Sequence, residues 1–291
     1  MKKTLAIVTA LAISVASFAQ TPGENYLFNH WSLGVGFGLT DGLQVTVGTT
    51  ILPNLQARIQ YSDFFTHVAI GNAIMKGQNA PFGINPIEYQ ITGINYHENG
   101  INIDQVDLQG TIQQRDLALL VDFFPSPKST FHVTGGIMFS LAPNLVSVVG
   151  TPKNTTNSDP VMDNQDKGHV RIAGITTDYE GLIHADVKYG LPVKPYLGIG
   201  FGRPVNPDGR VSVNFDMGVA FIGGAHLYSY DYSSGSRVPV ELNEAWINDP
   251  NNAELKANLG DSVNDIVPKL RTANNFPVMP YLRLTVNVRL F

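Results

Sequence analysis

The chain ends in Pro280-Tyr-Leu-Arg-Leu-Thr-Val-Asn-Val-Arg-Leu-Phe291, where apolar and polar residues alternate up to the terminal aromatic. Alternation with a period of two predicts a β-strand that has one apolar and one polar face. Such a strand can cross a membrane in a closed barrel, with lipid on one face and the lumen on the other. A soluble β-sandwich produces the same alternation, so this segment alone leaves both folds open.

Seven further segments alternate in the same way, near residues 31–40, 43–51, 55–62, 106–124, 131–140, 195–202 and 211–221. Their large apolar residues stand opposite Gly, Ser, Thr, Asn and charged residues, a composition that favours a narrow barrel lumen over a sandwich core. We therefore predict an all-β, antiparallel transmembrane β-barrel of about eight strands. Residues 170–188 could hold another hairpin, which would make ten strands.

Turn signals and loop lengths indicate how these segments are connected. Asp41-Gly42 predicts a hairpin, and Asn206-Pro-Asp-Gly209 predicts a tight turn. The connections after the second, fourth and sixth segments are short. Those after the third, fifth and seventh are long, near 66–105, 141–192 and 223–277. Membrane barrels show this asymmetry, with short turns in the periplasm and long loops outside.

Two local irregularities carry their own predictions. Within 106–124 the polar residues change phase along the segment, which predicts a β-bulge near 114–116. Within 253–271, apolar residues recur at helical spacing, which predicts one amphipathic helix in the last long loop, although Gly260 and Pro268 weaken the pattern.

The start of the chain indicates export. Residues 1–19 have Lys2 and Lys3, then an apolar run, then small residues at Ser17 and Ala19, which is typical of a cleaved signal peptide. We expect Gln20 to begin the mature protein, with 20–291 forming the barrel domain. The chain has no cysteine, which excludes a lipid-anchored cysteine and disulfides, and its net charge of −5 argues against nucleic-acid binding.

Charged residues on the polar faces form the clearest candidate site. A dry lumen cannot hold unpaired charges, because each costs several kcal/mol, so we expect ion pairs there. The predicted lumen charge network comprises Arg58, Asp116, Asp122, Lys194, Asp216, Arg283 and Arg289. A water-filled, charge-lined pore is the functional alternative, but eight strands enclose only enough space for side chains.

Other polar residues offer weaker candidates. The seven histidines show no metal-binding spacing, so we expect no metal site and no cofactor. His226, Ser229 and Asp231 follow the seventh segment, where a lipid hydrolase could keep a nucleophile and a base. Aromatic residues near the segment ends suggest two interfacial girdles: Trp31, Tyr61, Phe64, Phe65, Phe123, Phe124, Phe131, Tyr189, Phe221 and Tyr281.

Three stretches carry a resemblance to a known family. Leu117-Ala-Leu-Leu-Val-Asp-Phe-Phe-Pro125, Pro195-Tyr-Leu-Gly-Ile-Gly-Phe-Gly202 and Val213-Asn-Phe-Asp-Met-Gly-Val-Ala-Phe221 resemble small outer-membrane β-barrel proteins of Gram-negative bacteria. The resemblance implies an integral outer-membrane location and about eight strands, and it brings no catalytic residues. One departure is that Phe291 is out of phase with the apolar residues of the last strand, so recognition by the assembly machinery could differ in detail.

These observations lead to one functional expectation and two alternatives. We expect an integral outer-membrane barrel with a structural or surface-interaction role and no enzymatic activity. The alternatives are a narrow pore for small solutes and an enzyme that modifies lipid in the outer leaflet. The expected partners are outer-membrane lipid and lipopolysaccharide, the barrel-assembly machinery during insertion, and an unidentified envelope protein.

Overall fold

The computed structural model describes residues 27–64, 87–98, 101–142, 144–153, 171–172, 175–250, 268, 271–272, 275 and 277–291. The predicted signal peptide and nearly all of the helix predicted over 253–271 lie outside these residues. Among the described residues, no helix has the length and hydropathy that a membrane-spanning helix needs.

The described residues include sixteen strands and a short helix, α1 (Glu244–Ile247). In chain order the strands are β1 (Trp31–Gly38), β2 (Gly42–Leu52), β3 (Leu55–Asp63), β4 (Ile87–Glu98), β5 (Ile101–Ile112), β6 (Arg115–Phe123), β7 (Phe131–Ser140), β8 (Val146–Lys153), β9 (Arg171–Ile172), β10 (Ile175–Thr176), β11 (Ile183–Tyr189), β12 (Val193–Phe201), β13 (Val211–Phe221), β14 (Ala225–Asp231), β15 (Val238–Glu241) and β16 (Val278–Arg289).

Eight of these strands close into an antiparallel barrel in the order β1-β16-β13-β12-β7-β6-β3-β2. Strand β16 completes the ring by pairing with both β1 and β13. Each of the eight segments that the alternation predicts contains one of these strands, so the predicted all-β barrel of eight strands is confirmed. Of the fourth segment, 106–124, only the part in β6 belongs to the barrel, since the part in β5 lies in another sheet. The ten-stranded alternative is wrong, because β11, which falls in its extra hairpin, belongs to a different sheet.

A second, open sheet has the order β15-β14-β11-β8-β5-β4, and we call it the extension. Four of its strands adjoin barrel strands in the chain, since β5 leads into β6, β7 into β8, β11 into β12 and β13 into β14. Backbone hydrogen bonds cross the short breaks, for example from Gln113 N to Leu145 O at 2.9 Å. The extension therefore continues one side of the barrel wall beyond its rim.

The predicted bulge near 114–116 is wrong. Backbone groups of Gln113 and Arg115 bond to Leu145 and Leu141 on one side, whereas the Gln114 carbonyl accepts from Phe64 on the other. This regular alternation of bonding directions means that the strand keeps its phase from β5 into β6. The sequence pattern changes there because the apolar residues lie on the inner side of the sheet in β5 and on the outer side in β6.

The two ends of the barrel differ. At the short-turn end lie the connections 53–54, 124–130 and 202–210. At the long-loop end lie the tight β1–β2 turn and the connections that lead into the extension. The predicted asymmetry between short and long connections is therefore present, although two of the long ones contain most of the extension's strands.

Candidate functional site

The barrel lumen is filled with polar side chains that have almost no contact with solvent. Each barrel strand sends alternate residues inward. On most strands this inward set includes amide, hydroxyl or charged groups, whereas on β1 it consists of Ser32 and three glycines. The lumen also holds an apolar cluster, formed by Ala118, Leu120, Met138, Tyr196, Ala220 and Tyr281. The buried polar residues of the barrel strands include Gln44, Thr46, Gln56, Arg58, Gln60, Asp116, Asp122, His132, Thr134, Lys194, Asn214, Asp216, Arg283, Thr285 and Asn287.

A first ion-pair cluster lies around Arg58 on β3. Its guanidinium Nη1 bonds to Asp216 Oδ2 at 2.6 Å, and Nη2 lies 3.0 Å from Asp122 Oδ1. Nη2 also donates to Asp216 Oδ1 at 2.9 Å. One cation on β3 thus holds carboxylates from β6 and β13, and the structure brings together three of the residues expected in the lumen.

His132 on β7 joins this cluster, although its sequence context gave no sign of a ligand or partner. Its Nε2 lies 2.9 Å from Asp216 Oδ1 and 3.9 Å from Asp122 Oδ1. Thr134, two residues further along β7, donates to Asp122 Oδ1 at 2.7 Å. One feature of the sequence could have placed His132 in the lumen. It shares the polar face of its strand with Thr134.

A second cluster lies nearer the long-loop end around Asp116. Lys194 Nζ donates to Asp116 Oδ1 at 2.6 Å, and both side chains are buried. The Tyr281 hydroxyl donates to Asp116 Oδ2 at 3.3 Å, and the Gln114 amide reaches the same oxygen at 3.2 Å. This cluster brings together two further residues of the predicted network.

Arg283 pairs with Asp41, which sequence reasoning treated only as a turn residue. The two side chains are 2.8 Å apart and fully buried, and the Arg283 guanidinium also lies 4.5 Å from the Tyr281 ring centroid. Arg289 does not join the network. It reaches the carbonyl oxygens of Asn206 and Pro207 at the short-turn end instead, because its position near the end of β16 places it at the rim.

The cluster around Arg58 has the spacing of a metal site but already contains a cation. One ligand atom each from Asp122, His132 and Asp216 lies within 4.8 Å of the others. The Arg58 guanidinium bonds to both carboxylates, so it supplies the positive charge that a metal ion would bring. The donor set therefore fits an internal ion-pair cluster better than a metal centre.

The connection between β12 and β13 closes the short-turn end. We call Arg203, Pro204 and Val205 the plug, since all three are buried. The Gln56 side chain bonds to both backbone groups of Val205, donating at 2.7 Å and accepting at 3.0 Å. Gly48 leaves room for the plug, because a Cβ there would lie 3.2 Å from Val205 Cγ2.

The outside of the barrel is apolar. Exposed residues on the outward faces of its strands include Val35, Ile59, Leu119, Val121, Ile137, Leu197, Ile199, Val213, Leu284 and Val286. Trp31, Phe123 and Phe131 lie at strand ends, as expected for girdles. Phe124 and Tyr281 were expected in the girdles too, but both are buried inside the barrel.

In the extension the apolar residues lie on the inner side of the sheet and the polar residues on the outer side, the reverse of the arrangement in the barrel. Gln114 faces the lumen, where its amide bonds to Asp116 and Tyr281, and alternation places Ile112, Leu108 and Val106 on the same side. Strand registers add these apolar residues to that inner side: Val146, Val148, Val187 and Leu227. The outer side instead carries polar and aromatic residues: Asp107, Gln109, Thr111, Ser147, Asp186, Lys188, His226, Tyr228, Tyr230 and Glu241.

The residues considered for a catalytic triad do not come together. His226 and Ser229 are three apart on β14 and therefore lie on opposite faces. His226 Nδ1 lies 2.8 Å from Glu241, whereas the Ser229 hydroxyl donates to the His184 carbonyl at 3.0 Å. Burial alone would raise the pKa of Asp231, but hydrogen bonds from Ser233 and Thr176 outweigh it and lower the pKa to about 2.

Comparisons with known proteins give distant structural similarities only. No protein-family model and no curated protein matches the chain. The crystal structure of Acinetobacter baumannii CarO is similar over 91% of this chain and 99% of that chain, at 15% identity and a TM-score of 0.42. The crystal structure of A. baumannii CarO2 is similar over 89% of this chain and 97% of that chain, at 14% identity and a TM-score of 0.40. That of a major outer membrane protein from Thermus thermophilus is similar over 90% of this chain and 98% of that chain, at 15% identity and a TM-score of 0.36.

Proposed function

We propose that this chain is an integral outer-membrane protein whose sealed barrel carries the extension at the outer surface, in a structural or surface-interaction role. The observation that carries the proposal is the exchange of polarity between the barrel and the extension. The same run of strands is apolar on its outside within the barrel and polar on its outside beyond the rim. Lipid around the barrel and water around the extension would account for both.

The dimensions of the apolar surface agree with a bilayer. Barrel strands have 8 to 12 residues, and a tilted spanning strand needs about 9–11. Soluble monomers rarely expose a continuous apolar surface larger than a few hundred Å². The apolar residues here surround the whole barrel, so lipid is the environment that suits them.

The contents of the lumen support a role at the surface over conduction. The ion pairs of Arg58, Lys194 and Arg283 occupy the middle and the long-loop end, and the plug occupies the short-turn end. In water-filled pores, charged side chains line the wall and remain solvated. The narrow-pore alternative would require these side chains to move.

The lipid-modifying alternative has less support. Among the described residues of the extension, the His226–Glu241 and His184–Asp178 contacts each lack a hydroxyl nucleophile bonded to the histidine. The Ser229 hydroxyl donates its hydrogen bond to the backbone carbonyl of His184. We therefore propose no enzymatic activity. We assign outer-membrane lipid, lipopolysaccharide and the barrel-assembly machinery as partners, together with an envelope protein still to be identified at the extension.

Leu197→Arg tests the membrane location. Leu197 is 56% exposed on the outside of β12. If it lies near the bilayer midplane, the substitution should lower the free energy of unfolding in lipid vesicles by about 2–4 kcal/mol. Urea titration followed by tryptophan fluorescence measures this.

Gln109→Arg is the matched control, because Gln109 is exposed on the outer side of the extension. It should change the free energy of unfolding by no more than about 0.5 kcal/mol. In a water-soluble barrel both substitutions would be tolerated equally. Equal effects of the two arginines would therefore contradict the proposed location.

A further inference from the structure

One side of the lumen carries neutral side chains whose polar atoms lack hydrogen-bond partners in the described part of the chain. We call this set the polar strip, and its members are Gln44, Thr46, Gln60, Asn214, Thr285 and Asn287. We propose that the polar strip is a binding site for ordered water molecules, which join these side chains into one network inside the closed barrel. The inference rests on the sealed barrel proposed above and assigns a ligand to a part of its lumen that the ion pairs do not use.

Strand register gathers the polar strip into two neighbouring rows. In the first row, Gln60 of β3 pairs with Thr46 of β2. Thr46 pairs in turn with Gly34 of β1, which pairs with Asn287 of β16. The second row lies two residues nearer the long-loop end and consists of Gln44, Gly36, Thr285 and Asn214 on β2, β1, β16 and β13. Because residues two apart share a face of a strand, both rows face the lumen.

Eight side-chain atoms of these rows have no hydrogen-bond partner within the described chain. They are Gln60 Oε1 and Nε2, Asn287 Oδ1 and Nδ2, Thr46 Oγ1, Gln44 Oε1, Thr285 Oγ1 and Asn214 Oδ1. The side chains that carry them are at most 2% exposed. Native proteins contain only a few unpaired buried polar groups per 100 residues, because each loses the hydrogen bonds that water gives it in the unfolded chain. Eight in two adjacent rows therefore indicate a ligand that supplies the missing bonds.

Two glycines of β1 bring these atoms together. At Gly34 an added Cβ would clash with Asn287 Oδ1, and at Gly36 it would lie 2.6 Å from Thr285 Oγ1. Side chains of β16 thus occupy the space in front of β1 that a larger residue there would take. The amides and hydroxyls of β16 consequently converge with those of β2 and β3 on the same side of the lumen.

The chemistry of the polar strip matches water. Amides and hydroxyls offer donors and acceptors without net charge, and water both donates and accepts. A buried water molecule typically makes about three hydrogen bonds, so about three molecules would serve eight atoms. Arg58 and Arg283, which are two residues before Gln60 and Thr285 on their strands, each keep one nitrogen without a partner, Nε and Nη1 respectively. These nitrogens can donate to the same network, and the two guanidinium groups would repel a cation.

Water contacts of the side-chain amides test the inference directly. Nuclear Overhauser spectra of the unmodified protein in lipid nanodiscs should show transfer from water to the Asn287 and Gln60 amide protons. Its sign should be that of water held longer than the water of a hydrated surface. Gln56 is the matched control, because this buried lumen amide donates to and accepts from the Val205 backbone. Its protons should show no such transfer.

Thr285→Val tests whether a bound water matters to stability. If the hydroxyl bonds to water, the substitution should lower the ratio of folded to unfolded protein by about fivefold. If the hydroxyl is truly unpaired, an apolar group of the same shape should raise that ratio. Thr134→Val is the control, since the Thr134 hydroxyl donates to Asp122 Oδ1 at 2.7 Å. It should lower the ratio in either case.

The outcomes separate failure of this inference from failure of the proposed function. Absence of water transfer at Asn287 and Gln60, or a stability gain from Thr285→Val, overturns the water site and leaves the sealed barrel in place. Rapidly exchanging water at Asn287, Gln60 and Gln56 alike, with steady conductance in planar bilayers, overturns the sealed barrel itself. If Thr285→Val does not fold, Thr46→Val replaces it, and the spectra of the unmodified protein still decide the question.

Discussion

The barrel and the extension share consecutive strands, yet they place their apolar residues on opposite sides. On β6 the outward residues are Leu119 and Val121, whereas on the adjoining β5 they are Asp107 and Gln109. Backbone pairing is antiparallel in both regions, so strand geometry does not produce the difference. The difference agrees with the proposed surroundings, lipid around the barrel and water around the extension, and on that proposal the boundary between the two lies where β5 leads into β6.

The two regions also hold their charges differently. Lumen pairs such as Arg58–Asp216 have side-chain exposures of 1–2%, whereas the Lys153–Asp107 pair of the extension has 47% and 24%. Exposed pairs contribute about 0–1 kcal/mol because water solvates each partner after the pair is broken. In a buried ion pair, water cannot solvate the partner that remains, so removing one partner lowers the stability far more.

The largest expected effect comes from breaking the Arg58 cluster. Asp216→Ala removes the carboxylate that accepts from Arg58 and contacts His132, so the barrel should lose about 3–5 kcal/mol of unfolding free energy. Lys153→Ala, in the extension, should cost no more than about 1 kcal/mol. Chemical unfolding in vesicles measures both.

A double-mutant cycle sharpens this result. Asp216→Asn with Arg58→Met should cost less than the sum of the two single losses, since the partners stabilise each other. Additive losses would mean that the lumen charges are solvated independently, as in an open pore, and the contrast with the extension would disappear.

Alanine substitutions at two adjacent glycines of β7 compare how tightly the lumen face and the outer face are packed, since each adds a single methyl group. At Gly136, which faces the lumen, an added Cβ would clash with the Leu119 carbonyl, whereas at Gly135 nothing lies within 4 Å. We expect Gly136→Ala to cost about 1–3 kcal/mol through overpacking and Gly135→Ala to cost little. Thermal unfolding measures the difference, and equal costs would contradict the packed lumen.

The smallest expected effect concerns the extension alone. Burial and a hydrogen bond to Asp186 raise the pKa of Tyr230 to about 12. The unfolded chain loses this proton near its ordinary value of about 10, so stability should fall as the pH rises from about 10 to about 12. Tyr230→Phe should reduce that fall. Ultraviolet absorbance follows tyrosine ionisation, and a titration that Tyr230→Phe leaves unchanged would argue against the Asp186 contact.

The candidate site was partly predictable from sequence. Arg58, Asp122 and Asp216 alternate with large apolar residues, and that local pattern was enough to place them inside the barrel. His132 was missed because a single histidine among glycine and threonine does not indicate its partners. Asp41 was missed because its position before Gly42 is equally well explained by the hairpin.

The extension shows where the local pattern was misread. Between 106 and 124 the sequence changes phase, and a β-bulge is the ordinary explanation for such a change. A reversal of polarity on a regular strand produces the same pattern. The two cannot be separated without knowing what surrounds each half of the strand, which depends on the whole fold.

By itself the sequence determined the eight barrel strands, their turns and the apolar side of each, because alternation and turn chemistry are local properties of the chain. Tertiary structure decided the rest. It paired Asp41 with Arg283, brought His132 to Asp216, placed the plug in the short-turn end and built most of the extension from segments expected to be loops. These contacts join residues far apart in the chain, and their positions follow from strand register and barrel closure, which no local pattern encodes.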